Sequence, residues 1–350
     1  MSVAGREGGA EPGGGRPSLA SAGAGGARAA VAVDGLVKRF GDVVALDGIS
    51  LQVEPGELFG CIGPDGAGKT TLFRILATLV LPDAGSARVL GHDVVSGIWV
   101  LRRQIGYMPG RFSLYPDLSV EENVRFFASV FGATLEREYE RIAPIYRQLE
   151  PFRTRRAGAL SGGMKQKLAL CCALVHRPDI LLLDEPTTGV DAVSRREFWD
   201  LLDRLKSSGL TVVVSTPYMD EANRCDRVAL MQHGRVLAVD TPAAIIASFD
   251  RPLYAVRAPE RYRALRALRA YPHTYAVHPF GETLHYTDAR AGVSAEQVER
   301  DLLSALAAHG VSDADVSPTP PTVEDVFIAR MGRPDAADGG AAGAAPPGAT

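Results

Sequence analysis

The chain has 350 residues, with 38 Lys and Arg against 41 Asp and Glu for a net charge of -3, and 46% of its residues are hydrophobic. That balance belongs to a folded soluble protein and lacks the basic surplus that coating a polyphosphate demands, so no nucleic-acid partner is expected. No apolar run approaches the ~18 residues that cross a bilayer, the N-terminus has no charged start followed by an apolar stretch, and Cys61, Cys171, Cys172 and Cys225 show no Cys-x-x-Cys spacing for a zinc site or disulfide framework.

Residues 1–30 are rich in Gly and Ala, without periodicity or large apolar groups. Such a segment buries too little surface to offset its ordering entropy, so disorder is expected, and the tail 334–350 reads the same way. From 31 to 250 short aliphatic runs alternate with helical segments. LFGCIG (58–63), DILLLD (179–184) and TVVVST (211–216) are near-continuously apolar, as parallel strands covered on both faces are. KTTLFRILATL, VSRREFWDLLDRLKSS and MDEANR follow them as helices, which predicts an α/β domain with a mainly parallel sheet. Between these, Ser119 and Glu122 form a capping box at the head of an all-helical stretch reaching Leu149, with Pro144 interrupting it. That stretch reads as a helical insertion in the α/β core.

After Thr241-Pro242, an N-cap and first-turn pair, the texture changes. Residues 251–333 read as strand, helix, hairpin, helix and strand, the βαββαβ order of a small ferredoxin-like α+β domain, closed by the amphipathic helix PTVEDVFIARMG.

Three segments carry chemistry. Gly63, Pro64, Asp65, Gly66, Ala67, Gly68, Lys69, Thr70 and Thr71 fit GxxxxGK[ST] between an apolar strand and a helix. Its glycines let backbone N–H groups converge on phosphate oxygens at a helix N-terminus. Lys69 is then placed for the β- and γ-phosphates and Thr70 for Mg²⁺. In DILLLDEPTTGVD, Asp184 ends a strand where it can hold Mg²⁺, and Glu185 can act as general base on water. In LSGGMKQKLAL, Ser161 caps a helix whose start is bared by Gly162 and Gly163, an anion-binding arrangement.

Together these residues resemble the nucleotide-binding subunit of ABC transporters, over about Val31 to Pro242. The resemblance implies a P-loop NTPase fold and ATP hydrolysis with ATP and Mg²⁺. It implies Phe40 under the adenine, a Walker A loop at 63–71, a Walker B pair at Asp184 and Glu185, and a D-loop at Asp191. Ser161, Gly162 and Gly163 would contact ATP held by a second nucleotide-binding domain. The C-terminal extension and VEDVFI ending look like drug- and antibiotic-export ATPases that serve a separate integral-membrane permease. The implied location is cytoplasmic, peripheral on the inner face of the membrane. Two positions depart from the pattern. Gly110 stands where the Q-loop glutamine is expected after IGYMP, and Pro217 where the switch histidine is expected after TVVVST. With Asp65 in the loop, this resembles the first half of tandem exporter ATPases and implies impaired hydrolysis. A regulatory subunit with little turnover and a soluble non-transport ATPase of the same family are the alternatives.

Overall fold

The computed structural model describes residues 29–111 and 113–331; residues 1–28 and the C-terminal tail lie outside them, while Ala30, expected in the disordered tail, is buried and its N–H donates to Val53 O at 2.7 Å. Strands β1 (Val31–Phe40) and β2 (Val43–Val53) pair antiparallel. The chain continues through β3 (Leu58–Ile62) and α1 (Lys69–Leu76), then returns with β4 (Ala84–Val89) and β5 (His92–Asp93) to complete a sheet of order β2-β1-β4-β5. Helix α2 (Ile98–Gln104) leads into β6 (Ile105–Met108).

The helical insertion comprises α3 (Val120–Val130), α4 (Leu135–Tyr146) and α5 (Gly162–Leu174). The capping box is present at Ser119 and Glu122. The break in this stretch falls not at Pro144 but just after α3, where Gly132 takes a φ of 69°. Pro144 is accommodated in the last turn of α4, where its missing N–H removes a single helical bond.

The second sheet adds β7 (Ile180–Asp184), α6 (Ala192–Ser207), β8 (Thr211–Thr216), β9 (Arg227–Gln232), β10 (Arg235–Asp240) and α7 (Pro242–Ala247). Its order is β10-β9-β3-β8-β7-β6, parallel except at β10. Neighbouring residues of its central strands enter different cores. Leu58, Leu183 and Val214 pack with the insertion, while Phe59, Leu182 and Val213 pack toward α1 and the first sheet. Burial on both faces is why these strands read as unbroken apolar runs. The segment MDEANR is a 3₁₀ helix at Met219–Arg224 rather than an α-helix, the tighter form that short connectors use.

The third sheet holds β11 (Leu253–Arg257), β12 (Thr274–Phe280), β13 (Thr283–Asp288) and β14 (Asp315–Pro318), with α8 (Arg261–Ala270) after β11 and α9 (Ala295–Ala308) before β14. Its antiparallel order, β12-β13-β11-β14, is that of a ferredoxin-like unit. Leu284 and Tyr286 form its core with Leu268 and Leu302 of the two helices. Helix α10 (Val323–Met331) closes the described chain. Its Val323, Val326 and Phe327 share a core with Leu230 and Ile245, and Arg330 Nη1 donates to the Leu237 carbonyl at 2.9 Å.

Candidate nucleotide-binding site

The 63–71 loop leaves β3 through a gap with no room for a side chain. A Cβ on Gly63 would lie 2.1 Å from the Met231 carbonyl oxygen, while the Gly63 N–H donates to Thr216 O at 3.2 Å. Gly66 and Gly68 turn the loop with φ of 79° and 100°, the left-handed region that glycine enters without steric cost. Gly68 also approaches Ala45, whose oxygen would be 2.5 Å from an added Cβ. Within the loop Ala67 is buried, Pro64 is half-buried and Asp65 is exposed. Lys69 is buried, and its Nζ donates to Gly63 O at 2.7 Å and Pro64 O at 2.9 Å. The ammonium therefore sits inside the curl of the loop.

Asp184, at the end of β7, is 2% exposed. Its Oδ1 accepts from Ser215 Oγ at 2.6 Å and from Thr70 Oγ1 at 3.1 Å. A hydroxyl and a carboxylate held side by side are the hard oxygen donors that Mg²⁺ takes, so the residues fit that ion. Glu185 has φ of 49°, a left-handed conformation that costs a non-glycine residue ~1–2 kcal/mol. Its N–H donates to Ser215, to the carbonyl at 3.1 Å and to Oγ at 2.9 Å. The turn aims its carboxylate back at the loop, where Oε1 lies 3.2 Å from Lys69 Nζ. Burial pushes the Cys61 thiol on β3 up to about 12, against the opposite pull of Lys69, so it is a packing group and not a nucleophile.

Gly110 and Pro217 both border this centre. A Cβ on Gly110 would meet Asp184 O at 3.1 Å and Glu185 Cβ at 3.7 Å. Pro217 follows Thr216, which carries the carbonyl bonded to Gly63. Neither position offers a polar side-chain atom. A third carboxylate, on Glu221, escaped the sequence reading. It is 3% exposed and accepts from Thr187 Oγ1 at 2.9 Å and from Thr216 Oγ1, tying the segment after β7 to the end of β8. The Ser-Thr pair ending the apolar run TVVVST was its available signal.

Ser161, Gly162 and Gly163 are brought not to the 63–71 loop but to the start of α6. Ser161 Oγ accepts from Met164 N–H at 3.4 Å as the cap of α5. A Cβ on Gly163 would lie 2.6 Å from Ser194, and Asp191 caps α6 by accepting from Val193 and Ser194 N–H groups at 3.1 and 3.0 Å. Among the described residues no hydrogen bond or ion pair joins Ser161–Gly163 to the loop. Phe40, at the end of β1, is 49% exposed and pairs across the strand with Val43, close in sequence to the Ala45 that meets Gly68. Lys38 Nζ lies 5.3 Å from its ring centroid, within cation–π range.

Residues 46–188 match the family described as ABC transporter. The probable multidrug ABC transporter ATP-binding protein YbhF of Escherichia coli (strain K12) is 44% identical over 209 residues, 59% of this chain but 36% of that protein. The chain therefore spans about a third of that relative's length. Nod factor export ATP-binding protein I of Rhizobium sp. (strain N33) is 36% identical over 309 residues, covering 87% of this chain and 98% of that protein. A solved ATP-binding cassette, a dimer in a post-hydrolysis state with ADP and phosphate, is similar with a TM-score of 0.55 and 27% identity over 60% of this chain and 98% of that one. Among the described residues no helix is long and apolar enough to cross a membrane. The α/β core with its helical insertion, the convergence of Lys69, Thr70, Asp184 and Glu185, and near-full-length similarity to an export ATP-binding protein lead to one conclusion: this chain belongs to the ATP-binding proteins of the ABC transporter family.

Proposed function

We propose that this chain binds MgATP on its own 63–71 loop, pairs with a second nucleotide-binding domain, and powers a separate integral-membrane permease that exports drugs or other small amphipathic molecules. The observation that carries this reading is the meeting of Lys69 with Glu185, and of Thr70 with Asp184, at the mouth of one glycine loop. Lys69 exchanges the Gly63 and Pro64 carbonyls for β- and γ-phosphate oxygens, the loop N–H groups from Asp65 to Thr71 surround the phosphates, and Phe40 stacks under the adenine. Mg²⁺ held by Thr70 and Asp184 supplies neutralisation of the charge that develops on the phosphates. Glu185, turned toward the loop by its left-handed backbone, takes the proton of the attacking water. Ser161, Gly162 and Gly163 contribute N–H groups to ATP on the second domain, and Asp191 keeps the start of α6 in register beneath them.

An apolar groove of about 500 Å³ lies between α2 and the insertion, lined by Leu79, Trp99, Leu114, Val130 and Phe131. Trp99 is 79% exposed. The groove also reaches Met108 and Pro109, the residues that lead directly to Gly110. A helix of the permease seated here would sit one residue from the metal end of the site, so we assign the groove to it and the chain to the inner membrane face. The names of the relatives support export.

Gly110 and Pro217 favour a second reading within the first, in which this chain's own site turns over slowly and its Ser161–Gly163 segment serves a partner's competent site. The test of the assembly is Glu185→Gln, which removes the base and traps ATP. Light scattering is expected to report a dimer mass with MgATP and a monomer without it. A monomer in both states, also when a candidate partner domain is added, overturns the proposal.

A further inference from the structure

We propose that His278, His285 and Asp325 form a binding site for a divalent transition cation of the zinc type. His278 of β12 and His285 of β13 are directly opposed in the hairpin register, so their side chains leave the same face of the sheet. Because Leu284 and Tyr286 point into the core under α8 and α9, His285 between them points to the other face. That face receives α10, which brings Asp325, itself 1% exposed.

Asp325 Oδ1 lies 2.6 Å from His285 Nδ1 and 3.2 Å from His278 Nε2, and all three ligand atoms fall within 4.8 Å of one another. Two imidazoles and one carboxylate are a zinc-type donor set; calcium and magnesium take oxygen shells instead. Metal–ligand bonds of ~2.0–2.2 Å at tetrahedral angles put ligand atoms ~3.3 Å apart. The His278 contact is close to that spacing, the His285 contact must open by about 0.7 Å, and the two imidazole nitrogens, within 4.8 Å, must draw together around the ion.

The surroundings are built as metal sites are, with the ligands oriented by further partners. Thr322 donates its N–H and its hydroxyl to Asp325 Oδ2 at 2.8 and 2.7 Å, which fixes the carboxylate and leaves Oδ1 to the histidines. Phe280 stacks on the His285 ring at 3.9 Å between centroids. His278 Nδ1, the ring nitrogen not facing Asp325, is buried and, among the described residues, without a hydrogen-bond partner, so a water is its remaining partner while Nε2 serves as the ligand. The His278 side chain is 18% exposed, which opens a route for the cation and a fourth position for water.

Cobalt(II) titrated into the untagged, metal-free full chain is the direct probe, since four-coordinate cobalt absorbs strongly in the visible and six-coordinate cobalt at an oxygen site such as Thr70–Asp184 does not. One equivalent per chain is expected, displaced by zinc, retained in Asp184→Asn, and weakened at least about tenfold in His278→Ala and in Asp325→Asn. Should Asp325→Asn fail to fold, His278→Ala, which alters a partly exposed ring, decides alone. No visible band in the wild-type chain, or a band unchanged by His278→Ala, overturns the site and leaves a plain hydrogen-bonded His–Asp–His cluster.

Discussion

Returning side chains to positions 110 and 217 is expected to raise ATP turnover. A glutamine at 110 starts with its Cβ 3.1 Å from Asp184 O and 3.7 Å from Glu185 Cβ, so the carbonyl must yield a few tenths of an ångström while the amide reaches the Thr70–Asp184 pair. A histidine at 217 starts one residue from the carbonyl that holds Gly63 N–H at 3.2 Å, at the first glycine of the loop. One preorganised donor aimed at charge developing in the transition state is worth ~2.7–4 kcal/mol, which is ~10²–10³ in rate. The lower figure applies here, because the Asp184 carbonyl must yield to the new Cβ at 110 before the amide is in place. Gly110→Gln with Pro217→His should therefore raise kcat of the purified chain about 10²-fold. KM for ATP should change by less than about threefold, since Lys69, Thr70 and Phe40 are untouched. The assay is steady-state phosphate release at several protein concentrations, with Glu185→Gln as the background. A wild-type chain already turning over near the ~10 s⁻¹ typical of enzymes, or a double variant no faster than wild type, refutes the reasoning.

Lys69→Ala removes a charge-assisted phosphate contact worth ~1.5–3 kcal/mol, so affinity in a fluorescent-nucleotide titration should fall at least tenfold; unchanged affinity removes Lys69 from the site. Gly162 and Gly163 should separate by mechanism. A Cβ on Gly163 meets Ser194 at 2.6 Å whereas one on Gly162 meets only Gly189 O at 3.3 Å. Gly163→Ala should destabilise the fold by the ~1–3 kcal/mol of overpacking, read as a lower melting temperature, and recover with Ser194→Gly, while Gly162→Ala should melt near wild type but lose dimer ATPase. Equal melting losses in both would contradict this geometry.

What could be read from the sequence was what is local. The 63–71 loop and the strands ending at Asp184 and Thr216 announce themselves, because one stretch of chain holds both the buried run and the turn that follows it. The order of elements from Leu253 to Pro318 likewise carries the ferredoxin-like unit. The antiparallel sheet of β1, β2, β4 and β5 was not foreseen, since register shifts between Val33 and Leu36 and again before Lys38 blur the period-two pattern on which a half-buried strand depends. Glu221 was missed for a different reason: its partner Thr187 lies 34 residues away, and only the pairing of β7 with β8 makes them neighbours. His285 and Asp325, 40 residues apart, share no motif for the same reason. In the insertion, Pro144 drew attention that belonged to Gly132, because only two residues of α4 follow Pro144, while a glycine with positive φ ends a helix outright.

Helix α10 gives the third sheet two attachments instead of one. The chain leaves the ATP-binding core after α7, builds the sheet, and comes back to bury Val323, Val326 and Phe327 beside Leu230 and Ile245. Arg330 then fastens the return to Leu237 O and Ser248 Oγ. A body joined by a single strand can swivel, but one joined by two crossings pinned side by side follows its support. Any rotation of the β9–β10 edge would thus be passed to the ferredoxin-like unit through two connections, the chain after α7 and the returning α10, rather than through one.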